Sequence, residues 1–148
     1  MTLAISTVCS SIADLHIVGV KICDLSNVPP AGKRILPILF PDPDNPISNF
    51  TNERMSQGGG SSALEDVEYD LNYMFIYSEL GAGRTGLDYL EKCVEQVQEI
   101  LDAIIGIDTI TGAVDIMPYP FNIQVIQDPS GKNYIGCTLV FHVKEFWR

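Results

Sequence analysis

LEDVEYDLNYMFIYSELGAGRTGLDYLEKCVEQVQEILDAIIG, residues 64–106, changes its hydrophobic period halfway along and so decides the fold. Up to Ser78 the odd positions Val67, Tyr69, Leu71, Tyr73, Phe75 and Tyr77 are apolar or aromatic, while Asp66, Glu68, Asp70 and Asn72 take even positions. Successive side chains of a strand point to opposite faces, so a period of two predicts a strand with one face on a core and an acidic face outward. Fully extended, residues 64–78 would reach about 50 Å at ~3.3 Å each, more than most sheets are wide, so part of the strand is expected to stand out from the domain. Past the glycines, Leu87, Leu90, Val94, Val97, Leu101 and Ile104 recur at alternating spacings of three and four, with Glu91, Lys92, Glu95, Glu99 and Asp102 on the other face. This is an amphipathic helix, with Thr85 as its N-cap, Asp88 as the capping-box partner and Gly106 at its end.

Upstream, Ile5, Val8, Ile12 and Leu15 predict a first helix over Leu3 to Leu15. Gly19, Asp24, Asn27 and Pro29-Pro30 read as a connector. Residues Lys33 to Phe40 hold a short apolar run containing Pro37, which cannot donate to a central ladder and therefore suggests an edge strand. A proline-, glycine- and serine-rich stretch over 41–63 is expected to be a projecting loop, long enough to be functional. Downstream, Phe121, Ile123 and Val125, a turn at Asp128-Pro129-Ser130-Gly131, and then Ile135, Cys137, Leu139, Phe141 and Val143 predict a hairpin. Residues 1–148 therefore read as one α+β domain: an antiparallel sheet of about four strands with two helices on one face, in the order α-β-β-α-β-β.

The turn Gly81-Ala82-Gly83-Arg84-Thr85-Gly86 spells G-x-G-x-x-G after a strand and before a helix, with Asp108 roughly twenty residues on. Three features argue against a dinucleotide site. Such sites occupy parallel βαβ units whose strands are buried on both faces, whereas this strand has an acidic face. The chain after Gly86 reads as an antiparallel hairpin, too short for a second mononucleotide half. The third glycine should lie inside the helix, yet Gly86 directly follows the expected N-cap. A tight strand-to-helix turn is the preferred reading, and a small nucleotide-binding enzyme the alternative.

No other stretch carries catalytic or metal-binding chemistry, so neither a cofactor nor an enzyme activity is expected. His16 and His142 are far apart and lack ligand-spaced partners; His142 has outward strand parity and reads as a rim histidine. No G-x-S-x-G elbow occurs. Asp42 and Asp44 sit among prolines without the spacing of a calcium loop. Cys9, Cys23, Cys93 and Cys137 form no C-x-x-C pair and read as buried thiols. The candidate contact residues are instead Asp66, Glu68 and Asp70, a solvated strand face or an acidic wall; Arg84, a solvated turn residue or a grip on a neighbour's carboxylate; and Asp42 and Asp44, loop solubilisers or contacts in the projecting loop.

At 148 residues and 46% hydrophobic content the chain can bury its own core. A formal net charge of −10 makes duplex DNA a poor partner, because affinity for DNA comes from Lys and Arg neutralising phosphates. The N-terminus lacks a positively charged signal region, and no apolar run approaches the roughly 20 residues of a membrane span, so a cytoplasmic origin is expected.

The element order, the Pro-containing first strand, the long loop into an aromatic strand, the G-x-G-R-T-G turn before an acidic helix, and the closing hairpin ending Phe146-Trp147 together resemble the tail-terminator proteins of long-tailed bacteriophages. The similarity is one of pattern over nearly the whole chain. It implies a structural virion subunit, assembled in the host cytoplasm, that forms a hexameric ring, caps the tail tube, ends its polymerisation and joins the tail to the neck. It also implies that DNA passes through the ring without specific binding, with the loop and the distal strand at ring or tube contacts. Other neck or minor tail subunits share this pattern.

Overall fold

The computed structural model describes residues 5–30, 33–54, 65–81, 87, 89–107, 113–127, 129 and 131–147; of residues 52–54, 65–66, 113–115, 146 and 147 only the backbone is described. In chain order the elements are α1 (Ile5–Ala13), β1 (Lys21–Ile22), β2 (Ile38–Pro41), β3 (Ile47–Arg54), β4 (Glu65–Glu79), α2 (Leu90–Ile105), β5 (Ala113–Pro118), β6 (Ile123–Gln127) and β7 (Asn133–Trp147). The seven strands form one mixed sheet. The four-stranded antiparallel sheet with order α-β-β-α-β-β is thus corrected to a larger, mostly β architecture with two helices.

Two strands of fifteen residues build the sheet. β4 pairs antiparallel with β7 from Glu65↔Trp147 to Glu79↔Tyr134, with a single irregularity between Ile76 and Ser78. On its other side β4 carries β3 along its first half and β2 along its second. β7 likewise carries β5 and β6 end to end. β4 is therefore central and paired throughout, and the expectation that part of it stands out from the domain fails because a partner of equal length lies beside it.

Three further expectations change. The supposed loop over 41–63 contains β3, whose Ser48, Asn49 and Asn52 disguise a strand as a polar linker; residues 55–63 lie outside the described residues. β2 is not an edge: it pairs in parallel with β1 and antiparallel with β4. Pro37 precedes the strand, and its carbonyl accepts a hydrogen bond from the Lys21 amide at 3.1 Å. α2 begins at Leu90 with Tyr89 as N-cap and no side-chain capping bond, while Thr85 and Asp88 lie outside the described residues. Gly106 ends the helix at φ −75°, without the left-handed conformation of a glycine cap.

The core fills one face of the sheet. Val67, Tyr69, Leu71, Tyr73 and Phe75 of β4 and Ile135, Cys137, Leu139, Phe141 and Val143 of β7 meet Val8, Cys9 and Ile12 of α1 and Cys93, Val97, Ile100 and Ile104 of α2. All four cysteines are buried free thiols. β5 runs parallel to β4 with β7 between them, so α2 completes a split β-α-β crossover. A smaller cluster of Cys23, Ile38, Phe40 and Ile76 packs separately from this core.

Gly136 faces Ile76 where β4 departs from regular pairing, and a Cβ there would overlap the Phe75 carbonyl oxygen. Gly136→Ala is expected to destabilise the fold by about 1–3 kcal/mol, because a backbone atom on a central strand cannot yield as a side chain can; urea denaturation against wild type measures it.

Candidate functional site

The sheet face opposite the helices carries the polar even positions of β4. Asp70 is only 5% exposed, so its charge persists only with compensating donors. Two strands and a residue just past a third supply them. Asn49 of β3 donates from Nδ2 to Asp70 Oδ2 at 2.7 Å. His142 of β7, directly opposite in register, places Nδ1 2.9 Å from Asp70 Oδ1. Tyr119, just past β5, adds a side-chain hydrogen bond to Asp70, and its ring lies 5.9 Å from the His142 ring. His142 Nε2 lies 3.4 Å from Glu68 Oε1, and Lys144 Nζ lies 3.9 Å from the same oxygen. One row thus ties together β3, β4, β7 and the end of β5.

Both ring nitrogens of His142 face carboxylates, an arrangement only the doubly protonated imidazolium can satisfy as a donor on both sides. The hydrogen bond to Asp70 raises the pKa of His142 above its ordinary 6.5; partial burial opposes this, and Glu68 reinforces it. Burial alone would raise the pKa of Asp70, but the hydrogen bonds from Asn49 and His142 outweigh it and hold the carboxyl below its usual value. Next along β4, Asn72 donates from Nδ2 to the Asn45 carbonyl at 2.9 Å and to Ser48 Oγ at 3.2 Å. Asp70 and His142 thus take hydrogen-bond partners from within the sheet. Among the described residues no group of three His, Cys, Asp or Glu side chains is placed to hold a metal ion.

The expected acidic wall is therefore a paired brace. Glu68 and Asp70 belong to it, and the backbone of Asp66 pairs with Glu53 and Phe146. Asp42 and Asp44 lie apart, in the turn between β2 and β3, where Asp42 Oδ1 accepts the Asp44 amide at 3.0 Å. They rim a cavity of about 850 Å³ lined also by Met74, Ile76, Ile126 and Tyr134. Arg84 and the rest of the glycine turn, residues 82–86, lie outside the described residues. The strands beside β4 are all antiparallel to it, unlike the parallel βαβ setting of a dinucleotide site. On the core face, Tyr69 donates its hydroxyl to Glu145 Oε2 at 2.5 Å, and Glu145 is 3% exposed. Burial first, then this carboxylate, raises the Tyr69 pKa, so the phenol stays protonated.

Sequence reading missed Asn49, Tyr119 and Lys144 and underrated His142. One signal was present: the basic even positions His142 and Lys144 complement the acidic even positions Glu68 and Asp70, as cross-strand partners do. No protein-family model matches the chain, and comparison with curated proteins finds no match. Among the described residues no helix is long and apolar enough to cross a membrane.

A pKa raised by folding stabilises the native state in full below the unfolded value and less as pH climbs through the folded one. A lowered carboxyl pKa does the reverse, and its contribution is lost as pH falls through the folded value. The brace is therefore strongest between roughly pH 4 and pH 6.5. The stability lost in His142→Gln, read from urea denaturation, is expected to be on the order of 1 kcal/mol at pH 5–6 and to shrink above neutrality. A loss that is flat from pH 5 to pH 9 would contradict the imidazolium assignment.

Proposed function

We propose that the chain is a structural virion subunit that works by protein contacts, assembling into a ring that caps a phage tail tube, ends its polymerisation and joins the tail to the neck. The observation that carries this reading is the interlocked polar row. Asp70, His142, Glu68 and Asn49 occupy one another and stiffen three adjacent strands, which is what a subunit that must hold its shape under assembly requires. Groups poised for proton transfer would instead leave an acceptor or donor turned toward a substrate. The sequence pattern supplies the more particular reading, and the net charge of −10 suits a ring through which DNA passes without adhering.

The direct test combines mass with capping. Light scattering of the purified protein, alone and with isolated tail tubes, is expected to give a closed oligomer, and electron microscopy to place it at tube ends. A strict monomer at high concentration that still fails to bind tubes would sink the proposal.

A further inference from the structure

The geometry points to a specific junction between copies: the outer edge of β5 in one subunit pairs with the outer edge of β3 in the next, continuing the sheet from copy to copy. The inference rests on the ring reading above and names its contact. It stands on level, direction and unpaired backbone groups.

The two edges are level. β3 backs onto β4 from Glu65 to Leu71, with Arg54↔Glu65 and Ile47↔Leu71 as the outermost pairs. β5 backs onto β7 from Phe141 to Phe146, and those residues pair with Leu71 to Asp66 of the same β4 stretch. A neighbour can therefore dock edge to edge without sliding along the strands. Directions agree as well. β3 and β7 run opposite to β4, and β5 runs with it, so β5 of one copy meets β3 of the next antiparallel. A repeat of β3-β4-β7-β5 then alternates without a break, adding about 19 Å of sheet per copy at the usual ~4.8 Å between strands.

The free backbone groups can be assigned. The Asn72 amide donates to the Pro46 carbonyl at 3.0 Å and its carbonyl accepts the Asp42 amide at 2.8 Å, so even-numbered β4 residues turn their polar backbone toward β2 and β3. Their partners Thr51 and Glu53 are thereby used, which leaves the N–H and C=O of Asn52 and Arg54 turned outward. On the opposite side the Tyr119 amide donates to the Val140 carbonyl at 2.9 Å, so even-numbered β7 residues face β5. Asp115 and Met117 are used, and Val114 and Ile116 turn outward. Among the described residues neither β3 nor β5 has a second strand partner. Such edges are templates for strand addition.

Both edges are also bounded. β3 is bulged between Ser48 and Thr51, and β5 ends at Pro118, which has no N–H to give. The usable stretches are therefore Thr51–Arg54 and Ala113–Met117, each with two outward-turned residues, Asn52 and Arg54 on the one and Val114 and Ile116 on the other. A ring of more than two copies needs two different surfaces, and β3 with β5 provides them; either edge paired with itself would close a dimer.

Ile116→Pro and Asn52→Pro each remove one outward amide while sparing the internal ladder. Each is expected to weaken assembly about tenfold or more at fixed concentration, the effect of one lost hydrogen bond and a ring held at the junction. Mixed together, the two variants retain one intact junction, β5 of Asn52→Pro against β3 of Ile116→Pro, and should give a one-to-one dimer and nothing larger. If both variants keep the wild-type oligomer, the edge junction is wrong while the ring reading stands. If Asn52→Pro alone remains a homodimer, the contact is β5 with itself, which also overturns the proposal. Should either variant fail to fold by circular dichroism, amide exchange on the wild type decides: Asn52, Arg54, Val114 and Ile116 must slow on assembly, and unchanged exchange overturns the junction. A wild type that is monomeric even with tail tubes removes the ring reading and this inference together.

Discussion

The antiparallel pairing of β4 with β7 is the constraint on which the remainder of the structure depends. Because both strands run for fifteen residues, each offers more edge than one short strand can cover, and two short strands settle end to end on either side. The pairing also fixes which residues meet. It sets Tyr73 beside Leu139 and Phe75 beside Cys137 under the helices, and Asp70 beside His142 and Glu68 beside Lys144 on the opposite face. A slip of one residue would turn every side chain of one strand to the wrong face, so the apolar core and the charge row specify the same register.

The two faces reach burial by different means. On the helix side, apolar area is removed from water by α1 and α2. On the other side, where the described residues place no helix, Asp70 and Asn72 are buried, and hydrogen bonds from neighbouring segments replace the lost water. Removing one member of such a row leaves the others desolvated and unpaired, which costs more than the bond itself contributed. Its members come from four segments far apart in sequence, so the row resists local fraying of the edge strands.

How much of this was legible depends on whether the signal is local. The strand from Val67 to Phe75 and the helix through Val97 and Ile104 announce themselves by period, and the structure places both there. β3 does not, because the bulge at Ser48/Thr51 interrupts its alternation and Asn49 sits at φ +53° in the left-handed region. β1 is two residues long, too short for a period to show, and β5 reads AVDIMP, apolar on both parities apart from Asp115, so it carries no clean alternation. Of the acidic row, Glu68 and Asp70 share one face as their parity predicts, but their partners were not read. The Asp70–His142 contact joins residues 72 apart in the chain, and only the register of β4 with β7 brings them together. The glycine turn matches a dinucleotide motif in its letters but reads as a tight turn on grounds of topology, and the strands beside β4 are indeed all antiparallel to it.

An open sheet edge invites indiscriminate pairing, and its specificity depends on how much of it is offered. Here the polar row takes part in setting that limit. Asn49 holds an unfavourable left-handed backbone, a cost of about 1 kcal/mol or more for a non-glycine residue, and its side chain is fixed by the bond to Asp70. Asp70 in turn is held by His142 and Tyr119. The Asn49–Asp70 bond acts at the bulge together with the Asn72 bond to Ser48 and the stacking of Phe50 on Tyr69. The buried charge pair and the bulge of β3 are therefore linked: a donor that helps satisfy a desolvated carboxylate sits where β3 leaves regular pairing with β4.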